Sequence, residues 1–269
     1  MSSPADEPND TMKHADKTAL RAEVRKIRRS GTHEAEVTGT AEVTGTAGPV
    51  GSGGTGGAVR NRIAQAQEQL ARAAAELIAD RPAVVAYAAL PGEPDLDAAL
   101  NAYMRRGGTV FLPVTRANEP LRWGRAPGTM DLPPQGKWLI REPREELTAE
   151  QLAEHLVTLA RTASRNPSGN WGGTSGAEAT SGVLPQERPR APLVLVPGLR
   201  FGADGTRLGN GGGFYDRTFG PQGAAADLAH EVPLTGVCFS WEFGGRLEAE
   251  EWDLTVGSVL TENGLRAAE

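Results

Sequence analysis

The chain of 269 residues and 28.3 kDa has room for one large or two small domains. A net charge of −6 and an isoelectric point near 5.4 exclude an overall cationic field, so neither nucleic acid nor an anionic membrane is an expected partner, and any anionic ligand has to be met locally. The single cysteine, Cys238, excludes an intramolecular disulfide and a cysteine-rich metal site, and its apolar neighbours predict a buried hydrophobe.

Residues 1–14 are polar and acidic and carry Pro4 and Pro8, which predicts a mobile tail rather than a secretory signal. No apolar run reaches the roughly 18 residues of a membrane span, so a cytoplasmic protein is expected. Leu20, Val24 and Ile27 then recur at helical spacing. Beside them Lys17, Arg21, Arg25 and Arg28 form a basic stripe. Such a stripe is ordinarily a solvated face, but acids are nearly absent from it, leaving cations that predict anion binding. Residues 31–57 repeat AEVTGT in tandem before a glycine-rich run, with too little apolar surface to offset ordering; a flexible insertion is expected.

Ile63, Leu70, Ala74 and Leu77 mark a helix over residues 60–80. Residues 83–88 and 109–114 are β-branched and aromatic, and between them Leu96, Leu100 and Tyr103 share a helical face that Gly107 and Gly108 end; this is a βαβ unit. Glu93 and Asp95 lie in its first connection, either at a ligand-binding strand end or as caps of the helix. Thr148 and Gln151 have capping-box spacing ahead of Leu152, Leu156 and Leu159. Residues 164–190 read as a second insertion, around Trp171, and strands are expected at 192–197 and 234–239. The alternation predicts one α/β domain with a largely parallel sheet, interrupted by two low-complexity insertions.

The densest chemistry lies after the strand at 192–197, where Arg207 and Leu208 run into Gly209, Asn210, Gly211, Gly212 and Gly213, then Phe214, Tyr215 and Asp216. Glycines let backbone N–H groups converge on phosphate oxygens, an arginine adds a charge-assisted fork, and a carboxylate beyond could hold Mg²⁺. The run matches neither GxxxxGK[ST] nor GxGxxG, and a flexible turn is the plain alternative; Arg207, Tyr215 and Asp216 favour phosphate. Asp253, before the last strand-like run, reads as a surface-loop acid or a ligand. The four histidines are scattered, and neither a GxSxG elbow nor a triad can be assembled from spacing.

These pieces in this order resemble the 5-formyltetrahydrofolate cyclo-ligase family. The likeness rests on Lys17-Thr-Ala-Leu-Arg21, Glu93-Pro-Asp, Phe111-Leu-Pro113, Trp138-Leu-Ile-Arg-Glu-Pro143, the run from Arg207 to Arg217, Glu250-Glu-Trp-Asp253 and Val259-Leu-Thr-Glu262. It implies a Rossmann-like three-layer α/β/α sandwich over residues 15–265. It also implies ATP- and Mg²⁺-dependent closure of 5-formyltetrahydrofolate to 5,10-methenyltetrahydrofolate, with ADP and phosphate released, by a monomer. By motif position, Lys17, Thr18, Ala19, Leu20 and Arg21 with Arg207, Leu208, Gly209, Asn210, Gly211, Gly212, Gly213, Phe214 and Tyr215 would hold ATP. Lys17, Arg21 and Arg207 would serve catalysis, Asp216 and Asp253 would hold Mg²⁺, and Ala88, Glu93 and Trp138 would bind the folate, with Glu93 away from the phosphate loop. Phe214 stands where tyrosine is frequent in the family, and Val114 where arginine is common. Related α/β folds leave two other readings: a sugar-phosphate isomerase or CoA-transferase-like enzyme, and a non-catalytic nucleotide-binding regulator.

Overall fold

The computed structural model describes residues 8–30, 55–136, 139–165 and 190–269. Helix α1 (Pro8–Ser30) and helix α2 (Thr55–Ile78) come first. Strand β1 (Ala83–Val85), helix α3 (Asp97–Arg105) and strand β2 (Thr109–Val114) form the expected βαβ unit, with β1 and β2 parallel. Strand β3 (Arg122–Arg125) turns back antiparallel, and a small hairpin of β4 (Pro134–Gln135) and β5 (Ile140–Arg141) precedes helix α4 (Ala149–Arg165). Strand β6 (Leu193–Pro197) leads into a second hairpin, β7 (Arg200–Phe201) and β8 (Arg207–Leu208), and the short helix α5 (Phe214–Phe219). Strands β9 (Leu234–Val237), β10 (Ser258–Thr261) and β11 (Gly264–Ala267) complete the chain.

The seven-stranded sheet runs β11-β10-β9-β6-β1-β2-β3, parallel across its five inner strands and antiparallel at both edges. Its inner strands are buried on both faces, which is why they read as continuous apolar runs. Side chains alternate faces with the pleat. Val84, Val110, Leu112, Leu193 and Leu195 meet Leu70 and Ile78 of α2 and Leu100 of α3 on one side. Val85, Phe111, Val194 and Val196 meet Leu152 and Leu156 of α4 and Phe219 of α5 on the other. The result is a three-layer α/β/α sandwich. Thr148 caps α4 as its spacing predicted, its Oγ1 accepting from Gln151 N at 3.3 Å while Gln151 Oε1 accepts from Thr148 N at 2.9 Å.

Helix α1 begins at Pro8, inside the stretch expected as a tail, so residues 8–14 are helical and residues 1–7 lie outside the described residues. Proline suits a first helical position because its fixed φ is already helical and its missing N–H would have had no partner there. Its apolar side, Leu20 and Val24, packs on Leu199, Leu208 and Leu247 around the β7–β8 hairpin rather than on the sheet. Of the two expected insertions, residues 31–54 and 166–189 lie outside the described residues; residues 55–57 open α2, and residues 164 and 165 close α4. Among the described residues no helix is long and apolar enough to cross a membrane.

Candidate active site

The chain order reverses between β1 and β6, and in such sheets ligands bind beyond the carboxyl ends of the strands at that point. Tyr87 and Ala88 past β1, Pro113 of β2 and Pro197 of β6 line a cavity of about 970 Å³ there. The far wall is the glycine run, Gly209 to Gly213, continued by Phe214, Tyr215 and Asp216, and α1 closes one side with Lys17, Arg21 and Arg25.

The glycine run is shaped by its own backbone and held by arginines. Gly211 has φ +94°, a conformation that L side chains rarely adopt, while a Cβ there would meet only the Arg21 side chain at 3.7 Å or more; the glycine is required by the turn and not by lack of room. At Gly209 a Cβ would stand 2.6 Å from Arg207 Nη1. Arg21 Nε donates to Gly209 O at 3.0 Å, Arg25 Nη2 to Asn210 O at 2.8 Å and Arg217 Nη2 to Gly212 O at 2.7 Å.

The basic stripe on α1 has few acids of its own, as the sequence indicates, but distant segments supply partners, so its cations are not simply left over for a ligand. Lys17 Nζ donates to Asp253 Oδ2 at 2.7 Å, and Arg28 grips Glu242 through Nε at 2.7 Å and Nη2 at 2.9 Å. Every one of these partners is more than 180 residues away along the chain, so counting acids on the helix could not find them. Within the Lys17 to Arg21 segment only the two basic residues line the cavity. Thr18 and Ala19 are exposed on other faces of α1, and Leu20 packs against the hairpin, as a rotation of 100° per residue requires.

Asp216 and Asp253 are brought to the same cavity. Asp216 Oδ1 accepts from Arg207 Nη2 at 2.8 Å and from Leu254 N at 3.2 Å, and Asp253 Oδ2 accepts from Glu250 N at 2.8 Å. Burial alone would raise the Asp216 pKa, but the Arg207 guanidinium and the Leu254 amide hold it below the usual carboxylate range. Asp216 does not cap α5, whose N-cap is Gly213, and Asp253 is not a surface-loop acid, since its side chain is largely buried against Lys17. Glu93 and Asp95 divide their two possible roles. Asp95 Oδ1 accepts from Asp97 N at the start of α3, at 2.8 Å. Glu93 lines the cavity, its Oε1 accepting from Asn210 Nδ2 at 3.0 Å, so it touches the glycine run instead of standing away from it. Trp138 lies outside the described residues.

The wall also carries buried polar atoms without protein partners. Glu250 Oε1, Tyr215 Oη and Arg207 Nε are buried without a hydrogen-bond partner, three of the six such side-chain atoms among the described residues. Buried polar atoms are normally paired, so this concentration marks where a polar ligand would supply what the protein does not. Burial pushes the Tyr215 hydroxyl well above its ordinary pKa, keeping it a donor, and the Arg207 guanidinium lies 5.4 Å from the centre of its ring. Trp252, 43% exposed, stands on the rim beside Asp253. Glu250 and Trp252 sit in the acidic EEWD segment, whose density of carboxylates was the available signal.

Two carboxylates with an orphan carboxylate oxygen nearby are a hard oxygen donor set of the kind Mg²⁺ takes. Among the described residues no group of three or more His, Cys, Asp or Glu is placed to hold a metal by itself. Mg²⁺ held there would need waters or substrate phosphates as its remaining ligands. Cys238 is buried, which raises its thiol pKa, and it is not among the residues that line the cavity.

Comparison with known proteins agrees with this architecture. A 5-formyltetrahydrofolate cyclo-ligase of Mycolicibacterium smegmatis is 29% identical over 185 residues, covering 66% of this chain and 72% of that protein. The Escherichia coli K12 protein of the same name is 26% identical over 203 residues, covering 73% and 90%. Among solved structures, the 5,10-methenyltetrahydrofolate synthetase of Aquifex aeolicus superposes with a TM-score of 0.52 at 20% identity, over 94% of this chain and 93% of that one. That of Mycoplasma pneumoniae does so with a TM-score of 0.50 at 14% identity, over 92% and 99%. At these identities the two structures speak for the fold. The sequence profile of the 5-formyltetrahydrofolate cyclo-ligase family matches residues 13–170 and 156–262, and the chain belongs to that family.

Proposed function

We propose that this enzyme closes 5-formyltetrahydrofolate to 5,10-methenyltetrahydrofolate with ATP and Mg²⁺, releasing ADP and phosphate. The observation that carries the reading is the convergence, in one cavity, of a glycine run, three cations (Lys17, Arg21 and Arg207), two carboxylates and Glu93. The chemistry requires such a site. The N5-formyl group is an amide whose oxygen is a poor leaving group, so N10 cannot close the ring by expelling it. Transfer of the γ-phosphoryl group to that oxygen makes it a phosphate ester; N10 then attacks the formyl carbon and the oxygen departs with phosphate. Such a transfer depends on alignment and electrostatic stabilisation more than on a protein nucleophile, and the cavity wall offers charge and hydrogen bonds for that purpose.

In this reading Lys17, Arg21 and Arg207 bind the triphosphate together with the glycine run, and Tyr215 donates its unpaired hydroxyl hydrogen to it. Asp216 and Asp253 would hold Mg²⁺, which supplies neutralisation of phosphate charge. Glu93, fixed by Asn210 and by Leu90 N, accepts from N–H donors of the folate, and Ala88 leaves room for its ring. The test is direct: the methenyl product absorbs where the formyl substrate does not. Appearance of its band on mixing protein, ATP, Mg²⁺ and 5-formyltetrahydrofolate, and its absence when ATP is omitted, is the expected result. No band in the complete mixture, from protein that remains folded, would overturn the reading.

A further inference from the structure

The cations and carboxylates assigned above to phosphate and to metal hold one another in this structure. Lys17 is bound to Asp253 at 2.7 Å and Arg207 to Asp216 at 2.8 Å. All four residues line the cavity and are largely buried, with side-chain exposures of 11% and 17% in the first pair and 5% and 20% in the second. Glu250 adds a third acid: its unpartnered Oε1 lies 3.9 Å from Lys17 Nζ. Around the whole cavity five cationic side chains face four carboxylates, so the net charge of the wall is small despite its arginines.

This arrangement treats the two halves of the ligand unequally when they come alone. A metal-free triphosphate that takes Lys17 and Arg207 strips both pairs, leaving Asp216 and Asp253, with Glu250 beside them, uncompensated next to its own negative charge. A cation that takes the carboxylates leaves Lys17 and Arg207 without counter-charges. Removing one member of a largely buried pair is the expensive case, because the charge left behind has lost both water and partner. When metal and triphosphate arrive together, the phosphates replace the carboxylates on Lys17 and Arg207, the metal replaces the cations on Asp216 and Asp253, and every charge keeps a partner.

Building on the ATP- and Mg²⁺-dependent reading, we propose that the Lys17–Asp253 and Arg207–Asp216 pairs are an exchangeable lock that couples metal to nucleotide, so that the site accepts the metal–nucleotide complex and rejects the metal-free nucleotide. By linkage the coupling is reciprocal: the nucleotide tightens the metal by the same factor.

The experiment is calorimetric titration of the full chain with ATP, in excess EDTA and in saturating Mg²⁺, without folate so that no turnover occurs. For the unaltered protein the dissociation constant falls on adding Mg²⁺ by about tenfold or more, within the usual range of such couplings. Asp216→Asn and Asp253→Asn keep the shape and an acceptor oxygen but remove the charge. Each binds metal-free ATP several-fold more tightly than the unaltered protein and loses most of the Mg²⁺ enhancement, and Glu250→Gln also tightens metal-free binding. Circular dichroism checks that each variant is folded, and the two aspartates test the idea independently if one variant is lost. Folded variants that bind metal-free ATP no better than the unaltered protein would overturn the lock. So would equal affinity of the unaltered protein with and without Mg²⁺, which leaves nucleotide binding in place. Failure to bind ATP under either condition overturns the proposed function itself, and the lock with it.

Discussion

Helix α1 meets carboxylates at two places, and the two are built differently. Near its C-terminal end Arg28 presents two nitrogens to the two oxygens of Glu242, and Nη2 also donates to Gly198 O; the two side chains are only 6% and 3% exposed. Glu242 is held in turn by Phe239 N. Burial would lower the Arg28 pKa, but the bonds to Glu242 outweigh it and hold the guanidinium charged. About three turns toward the N-terminus, Lys17 touches Asp253 through a single oxygen at the edge of an open cavity. An ammonium is a point charge on a flexible stem, whereas a guanidinium forks onto a carboxylate in a fixed plane. The same kind of attraction therefore makes a clamp near the C-terminal end of the helix and a replaceable partner near its middle. The difference lies in the number of bonds and in what faces the pair, protein or cavity.

The largest test of that contrast is Glu242→Ala, which leaves Arg28 buried without its counter-charge. A loss of about 3–5 kcal/mol in urea unfolding is expected. A loss below about 1 kcal/mol, the range of surface pairs, would remove the distinction. Next is Lys17→Ala. With a charge-assisted phosphate contact removed, kcat/KM for ATP should fall by roughly 10- to 150-fold, the equivalent of about 1.5–3 kcal/mol, with a smaller loss of stability than in Glu242→Ala, because Asp253 keeps the Glu250 amide and faces the cavity. A variant that merely unfolds earlier would make Lys17 a clamp like Arg28.

A pH titration sharpens the comparison within the cavity. Because the folded protein holds the Asp216 pKa below its unfolded value of about 4, this carboxylate contributes stability above that value and loses it as pH falls through the folded one. Denaturation midpoints measured from pH 6 downward should drop for the unaltered protein in that acid window, and drop less for Asp216→Asn. Parallel curves would show that Arg207 gives Asp216 no such hold. The smallest effect concerns the bridge between Glu93 and Asn210. Asn210→Ala removes an exposed donor to Glu93 and an acceptor for Arg25, and should raise KM modestly for both ATP and the folate, since these bonds join the two proposed sides of the cavity. A change confined to one substrate would show the two sides to be independent.

Much of this was legible in the sequence, because it depends on neighbours along the chain. β-branched runs at 83–85, 109–114 and 193–197 became inner strands of a buried parallel sheet, Thr148 and Gln151 closed a capping box, and Gly209 to Gly213 marked a loop whose left-handed turns at Gly211 and Gly213 favour glycine. The residue types proposed for phosphate and metal were visible in the same way. Their pairing was not. Lys17 and Asp253 are 236 residues apart, Glu93 and Asn210 are 117 apart, and α1 spends its apolar face on a hairpin rather than on the sheet. Periodicity and spacing record which face a residue occupies within its own element. Which charge meets which, and whether the pair faces protein or a cavity, is decided only when distant elements pack, since Coulomb attraction and desolvation act through space and not along the chain.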